Sequence, residues 1–91
     1  GDYPINMTAG QTGNVTVGIV NHESADTSYK LVIRSNNDTV FEENVTLKNN
    51  EPVQIPYTFK ATKSGELNFL LYKLPDENNV YRSLNLPVNV S

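Results

Sequence analysis

The residues able to do chemistry are few in this 91-residue chain, and they are widely spaced. Its only histidine, His22, stands between Asn21 and Glu23. An imidazole beside a carboxylate is the least that a general base or part of a metal site requires. A catalytic metal normally takes three protein ligands, and with one histidine and no cysteine the chain supplies neither a second imidazole nor a thiolate. The preferred reading is that Asn21, His22 and Glu23 finish a strand, their side chains bonding to loop backbone. Asp76, Glu77, Asn78 and Asn79 offer the oxygen ligands calcium takes, but without the alternating Asp, the Gly and the distal Glu of a calcium loop; they read as a hairpin tip. Glu42 and Glu43 are neighbours on a strand, so they point to opposite faces and cannot converge on one substrate. Ser24, Ser28, Ser35, Ser64 and Ser83 lie in or beside turns, none in a nucleophile elbow. Among the five tyrosines, Tyr29, Tyr57 and Tyr72 take core or half-buried phases. Tyr81 is the best candidate for an exposed ring, and one ring makes a poor sugar platform. Gly10 and Gly13 flank a turn that no helix follows, so no phosphate loop is formed. No catalytic residue, cofactor or metal is expected.

Seven Lys and Arg against ten Asp and Glu leave a net charge of −3, the wrong sign for a nucleic-acid surface. No apolar run approaches the about 18 residues of a membrane span, and no basic-then-apolar leader is visible. The chain, starting at Gly1, is expected to be cut from a longer protein. Thirteen residues are asparagine. Five of them, Asn6, Asn14, Asn37, Asn44 and Asn89, begin an Asn-x-Ser/Thr acceptor triplet. An Asn- and Thr-rich chain makes such triplets by chance, yet five in 91 residues is dense, and an exported, surface-glycosylated protein is the expectation.

These residues must be carried by strands. Segment 14–20 alternates, with Val15, Val17 and Ile19 to one side and Asn14, Thr16 and Gly18 to the other, the period of a half-buried strand. Residues 29–35 alternate in the same way after a polar loop at 21–28. Asn36, Asn37 and Asp38 supply left-handed or Asx-type turn chemistry. In 39–47, Val40 is out of phase and Glu43 falls on the apolar face of Phe41, Val45 and Leu47, which predicts a bulge or register break. Residues 53–61 alternate cleanly, but Pro56 cannot donate to a ladder, so this strand belongs at an edge or contains a bulge. Residues 67–74 are apolar on both faces, as in a central strand. Segment 80–90 closes the chain, with Val80, Leu84, Leu86, Val88 and Val90 on one face. With no helical period, a short first segment and about six clear strands predict an all-β, immunoglobulin-like antiparallel β-sandwich of about seven strands, a single domain over 1–91. Strands linked by hairpins usually pair, so 67–74 should pair with 80–90 and 29–35 with 39–47. The expected core is Val15, Val17, Ile19, Leu31, Ile33, Val45, Ile55, Phe59, Phe69, Leu71, Leu84 and Val88.

Three strings carry a family resemblance: residues 10–23, ending in V-G-I-V-N-H-E; residues 29–33; and residues 67–90, with L-x-F-L-L-Y and then Y-R-S-L-N-L-P-V-N-V. Together they resemble the soluble C-terminal β domain of archaeal multi-spanning membrane proteins catalogued only as a domain of unknown function. Pro87 departs from the aromatic residue expected there, which bears on the edge pairing of the last strand. The resemblance implies a membrane anchor upstream of Gly1 and an extracytoplasmic location, and it supplies no activity. The functional expectation is a non-catalytic extracytoplasmic module, a spacer, adhesion or protein-binding element, with the loop of Asn21, His22 and Glu23 as its candidate interaction surface, because loops on a rigid sandwich carry most binding. The expected partner is a protein or cell surface, not nucleic acid, with the membrane reached through the upstream segment. The alternative is a carbohydrate- or calcium-binding sandwich. The least favoured reading is a metal-assisted hydrolase centred on His22 and Glu23.

Overall fold

The computed structural model describes residues 4–91; the expectation attached to Gly1 lies outside them. Seven strands follow in order: β1 (Ile5–Met7), β2 (Thr12–Val20), β3 (Thr27–Ser35), β4 (Asp38–Leu47), β5 (Pro52–Lys60), β6 (Gly65–Lys73) and β7 (Arg82–Val90). They form two sheets, one ordered β1-β7-β6-β3-β4 and the other β2-β5. The all-β, immunoglobulin-like sandwich is therefore as expected, with one exception to its antiparallel pairing: β1 runs parallel to β7, placing Ile5 opposite Val88 and Met7 opposite Val90.

Local chemistry explains the connections. Asn36 and Asn37 both take positive φ, 50° and 73°, as a two-residue hairpin between right-twisted strands requires. Thr39 pairs with Arg34 and Phe41 with Ile33, so Val40 is the extra residue of a bulge, the break that its phase implied. At the next turn Asn50 has φ 66° and the Glu51 carboxylate accepts from the Lys48 amide at 2.8 Å. β6 pairs with both β3 and β7, which accounts for apolar residues on both its faces. β5, with Pro56, stands at the edge of a two-stranded sheet. Pro87 also falls where β7 lacks a second neighbour, since β1 begins pairing only at Val88. The closing strand is shorter than expected. Asp76 ties residues 76–79 into an Asx turn, so Val80 remains in the loop, 45% exposed.

The inter-sheet core holds Ile19, Tyr29, Leu31, Ile33, Leu47, Ile55, Ala61, Leu67, Phe69 and Val88, closed at one end by Met7. Val15, Val17, Val45, Phe59 and Leu71 pack against it, partly buried. Gly13 admits the Phe59 ring: a Cβ there would meet the ring carbon Cζ at 2.5 Å. Leu84 is a correction. It has the phase of Val88 but is 61% exposed, and the reason lies in how the sheets are offset. The Tyr57 ring of β5 packs edge-on against Phe41 of β4, 5.6 Å between centroids, so the small sheet covers the β4 side of the large one. Two strands cannot span five, and the inner face of β7 around Leu84 projects past β2 with nothing opposite it among the described residues.

Candidate functional site

Two regions concentrate what this surface can offer: a polar cluster at one end of the sandwich and an apolar cleft along one flank.

The polar cluster is built on Asn21, which immediately follows β2 and is fully buried. Its amide nitrogen donates to the carbonyls of Ala25 at 2.7 Å and Leu47 at 2.8 Å. Its amide oxygen accepts from the Glu23 backbone at 2.8 Å and the Tyr29 hydroxyl at 3.2 Å. A buried amide has to be satisfied in this way, because an unpartnered one is costly. Glu23, half-buried, accepts from Lys73 Nζ at 2.7 Å on one oxygen and from Tyr81 Oη at 2.9 Å on the other. These bonds, Lys73 first and Tyr81 second, hold the Glu23 carboxyl below its ordinary range. The same contact with Glu23 pushes the Lys73 ammonium up, and burial pushes the Tyr29 hydroxyl up. Lys73 and Arg82 lie over the Tyr81 ring, 4.9 and 4.2 Å from its centroid, and the Tyr29 ring is 6.2 Å away. Cations over an aromatic face are attracted by its quadrupole. The cluster thus ties the β2–β3 loop to β3, β6 and the residue before β7.

Of the three loop residues expected to form an interaction surface, Asn21 is inside, Glu23 is engaged on both oxygens, and only His22 is exposed. Tyr81 corrects an expectation: its ring is half-buried with Lys73 and Arg82 over it and is not a free platform. Asp76 accepts from the Asn78 and Asn79 amides and the Asn79 side chain, bonds that lower its carboxyl, while Glu77 bonds to Lys30 at 3.0 Å. Among the described residues no group of three or more His, Asp or Glu is placed to hold a metal ion. Asn6, Asn14, Asn37, Asn44 and Asn89 are all exposed; Asn14 bonds to Thr58 and Asn6 to Asn89. Sequence reasoning missed Lys73 as a partner of Glu23. The two lie 50 residues apart, and only the β3–β6 pairing, which puts Lys73 opposite Tyr29, brings them together.

The cleft has a volume of about 610 Å³. One wall is β2, through Val15, Val17 and Ile19; the floor is Leu31, Phe69 and Leu71; the other wall is Leu84 and Leu86 with Ile5. Arg82 and Ser83 stand at the end nearest the polar cluster. Apart from Ile5, each apolar residue was legible as inward-facing. That some of them face an uncovered groove follows only from the sheet offset.

Comparison with known proteins adds a family and a fold. A family model described as a domain of unknown function, DUF1616, matches residues 1–89. No curated protein matches. Among solved structures, the chain is similar to the CARDB domain of the PF1109 protein from Pyrococcus furiosus, described in complex with di-metal ions. The identity is 16%, the TM-score 0.73, and the match covers 97% of this chain and 87% of that one. It is also matched to SSP-19, an MSP-domain-like protein of Caenorhabditis elegans, at 11% identity and TM-score 0.49, covering 97% and 94%.

Proposed function

This chain belongs to the DUF1616 family of domains of unknown function, and from that premise we propose that it is a non-catalytic module that acts as a spacer or protein-binding element on the extracytoplasmic face of an archaeal membrane-associated protein. The observation that carries this reading is the use made of the only imidazole–carboxylate neighbourhood. Asn21 and Glu23 spend their polar atoms on the fold itself, and His22 projects alone from the loop. Catalysis needs a positioned pair within hydrogen-bond reach of a reacting atom; here the carboxylate is occupied by a lysine and a tyrosine of its own chain.

The extracytoplasmic part of the proposal rests on two supports. Five acceptor triplets have exposed asparagines, and the strings at 10–23, 29–33 and 67–90 resemble domains that follow membrane-spanning segments. No helix among the described residues is long and apolar enough to cross a membrane, so on this reading any anchor comes from elsewhere in the protein. The di-metal ions belong to the Pyrococcus domain. In this chain the Asp76 carboxylate accepts from Asn78 and Asn79, and among the described residues no group of three or more His, Asp or Glu supports the calcium-binding alternative.

The test is a turnover screen of the folded domain with ester, phosphoester, glycoside and peptide substrates, with and without added zinc, manganese or calcium. No turnover above buffer is expected. Activity that disappears in His22→Ala or Glu23→Gln while folding is retained would overturn the reading.

A further inference from the structure

The flank cleft joins two features that are rarely left open together, an unpaired strand edge and an uncovered apolar face. β2 is nine residues long and, among the described residues, pairs only with β5, so alternate residues along its other edge present amide and carbonyl groups with no ladder partner there. Proteins guard such edges with charge, proline or bulges. The outer edge of β4 has all but the proline: Asp38, Glu42 and Glu43, and the bulge at Val40. β5 carries Pro52, Pro56 and Lys60. From Thr12 to Val20, β2 carries no charge, no proline and no register shift. Beneath this edge lies the cleft, where Leu84 is 61% exposed although its cross-strand partner Phe69 is 6% exposed.

We propose that this cleft is a strand-acceptor site, in which an extended segment of a partner protein pairs with the free edge of β2 and sets its apolar side chains over Leu84 and Leu86. Strand addition supplies affinity through main-chain bonds and specificity through pockets for alternate side chains, and the cleft offers both. The electrostatics state what the segment carries. Among the described residues Arg82 is the only charged one lining the cleft, and none of their carboxylates lies within ion-pair distance of it. The fitting segment is neutral and alternately apolar along its middle, with one acidic residue at the Arg82 end. A second copy does not fit the slot edge to edge. The two-fold axis that would pair β2 with β2 would drive both projecting β7 strands into the same layer. A lone strand meets no such obstruction.

The proposal rests on the reading of the domain as a binding module, and the following experiment separates the two. Peptides of about eight residues, spanning roughly 26 Å, alternate valine or isoleucine with threonine and end in glutamate. They are titrated into the domain with amide shifts and hydrogen exchange as readouts. Shift changes and slowed exchange confined to β2, with methyl shifts at Leu84 and Leu86, are expected. Leu84→Asp, at an exposed site, should weaken binding at least about tenfold with the fold unchanged. Methylating alternate peptide amides on the pairing edge should weaken it as strongly, and reversing the acidic end should weaken it less. The strand site is overturned if no such peptide binds, if the methylated peptide binds equally well, if sodium laurate occupies the cleft in preference to the peptide, or if the domain sediments as a dimer that buries Leu84. Any of these outcomes leaves the non-catalytic reading to the turnover screen, which alone can overturn it.

Discussion

The loop end and the flank cleft treat their unpaired groups in opposite ways. At the loop end every polar atom of Asn21 has a partner, and Glu23 is held on both oxygens. At the cleft, the β2 edge has no ladder partner among the described residues and Leu84 lies open beside buried Phe69. The difference shows which region the fold needs and which it can do without. The polar cluster fixes a loop that would otherwise strand a buried amide, whereas the cleft can remain empty because its backbone groups reach water.

The largest test of that contrast uses the ladder pair Phe69 and Leu84. Phe69→Ala should destabilise the domain by about 3–5 kcal/mol in urea unfolding, while Leu84→Ala should change it by no more than about 0.5 kcal/mol. A cost above about 2 kcal/mol for Leu84 would mean that the cleft is covered in solution. Next, Asn21→Ala should cost about 2–3 kcal/mol, since the Tyr29 hydroxyl and the Leu47 carbonyl lose their partner; equal stability would show that the cluster is incidental.

The third test is pH. The Glu23 carboxyl lies below its ordinary value in the fold, so the unfolded chain takes up the proton first as pH falls. Its contribution is present above the ordinary glutamate value of 4.5 and is lost as pH drops through the lower folded value. The stability difference between wild type and Glu23→Gln should therefore shrink from pH 7 to pH 3; a constant difference would argue against the Lys73 and Tyr81 bonds. The smallest effect is expected for His22→Ala at its exposed position, within about 0.5 kcal/mol of wild type.

Much of the architecture was legible because its causes are local. Val15, Val17 and Ile19 declare a strand by period. Asn36 and Asn37 declare a hairpin by their tolerance of positive φ, and Val40 declares a bulge by being out of phase. The misread residues share a different cause. Val80 lies outside β7 because Asp76 organises the preceding turn. Tyr81 is half-buried because Lys73 and Glu23 arrive from other elements, and Leu84 is open because the small sheet stops short of β7.

Side-chain alternation and turn sterics act over two to four residues, so the residues by themselves determined that this chain is a β protein, where it turns and which side chains share a face. Whether a face meets another sheet, a single strand or solvent depends on which strands pair across tens of residues and on how two twisted sheets of unequal width are offset. Pairing and offset are set by the packing free energy of the whole core, so only the tertiary structure decided that Asn21 would be buried in a clasp and that β2 would border an open cleft.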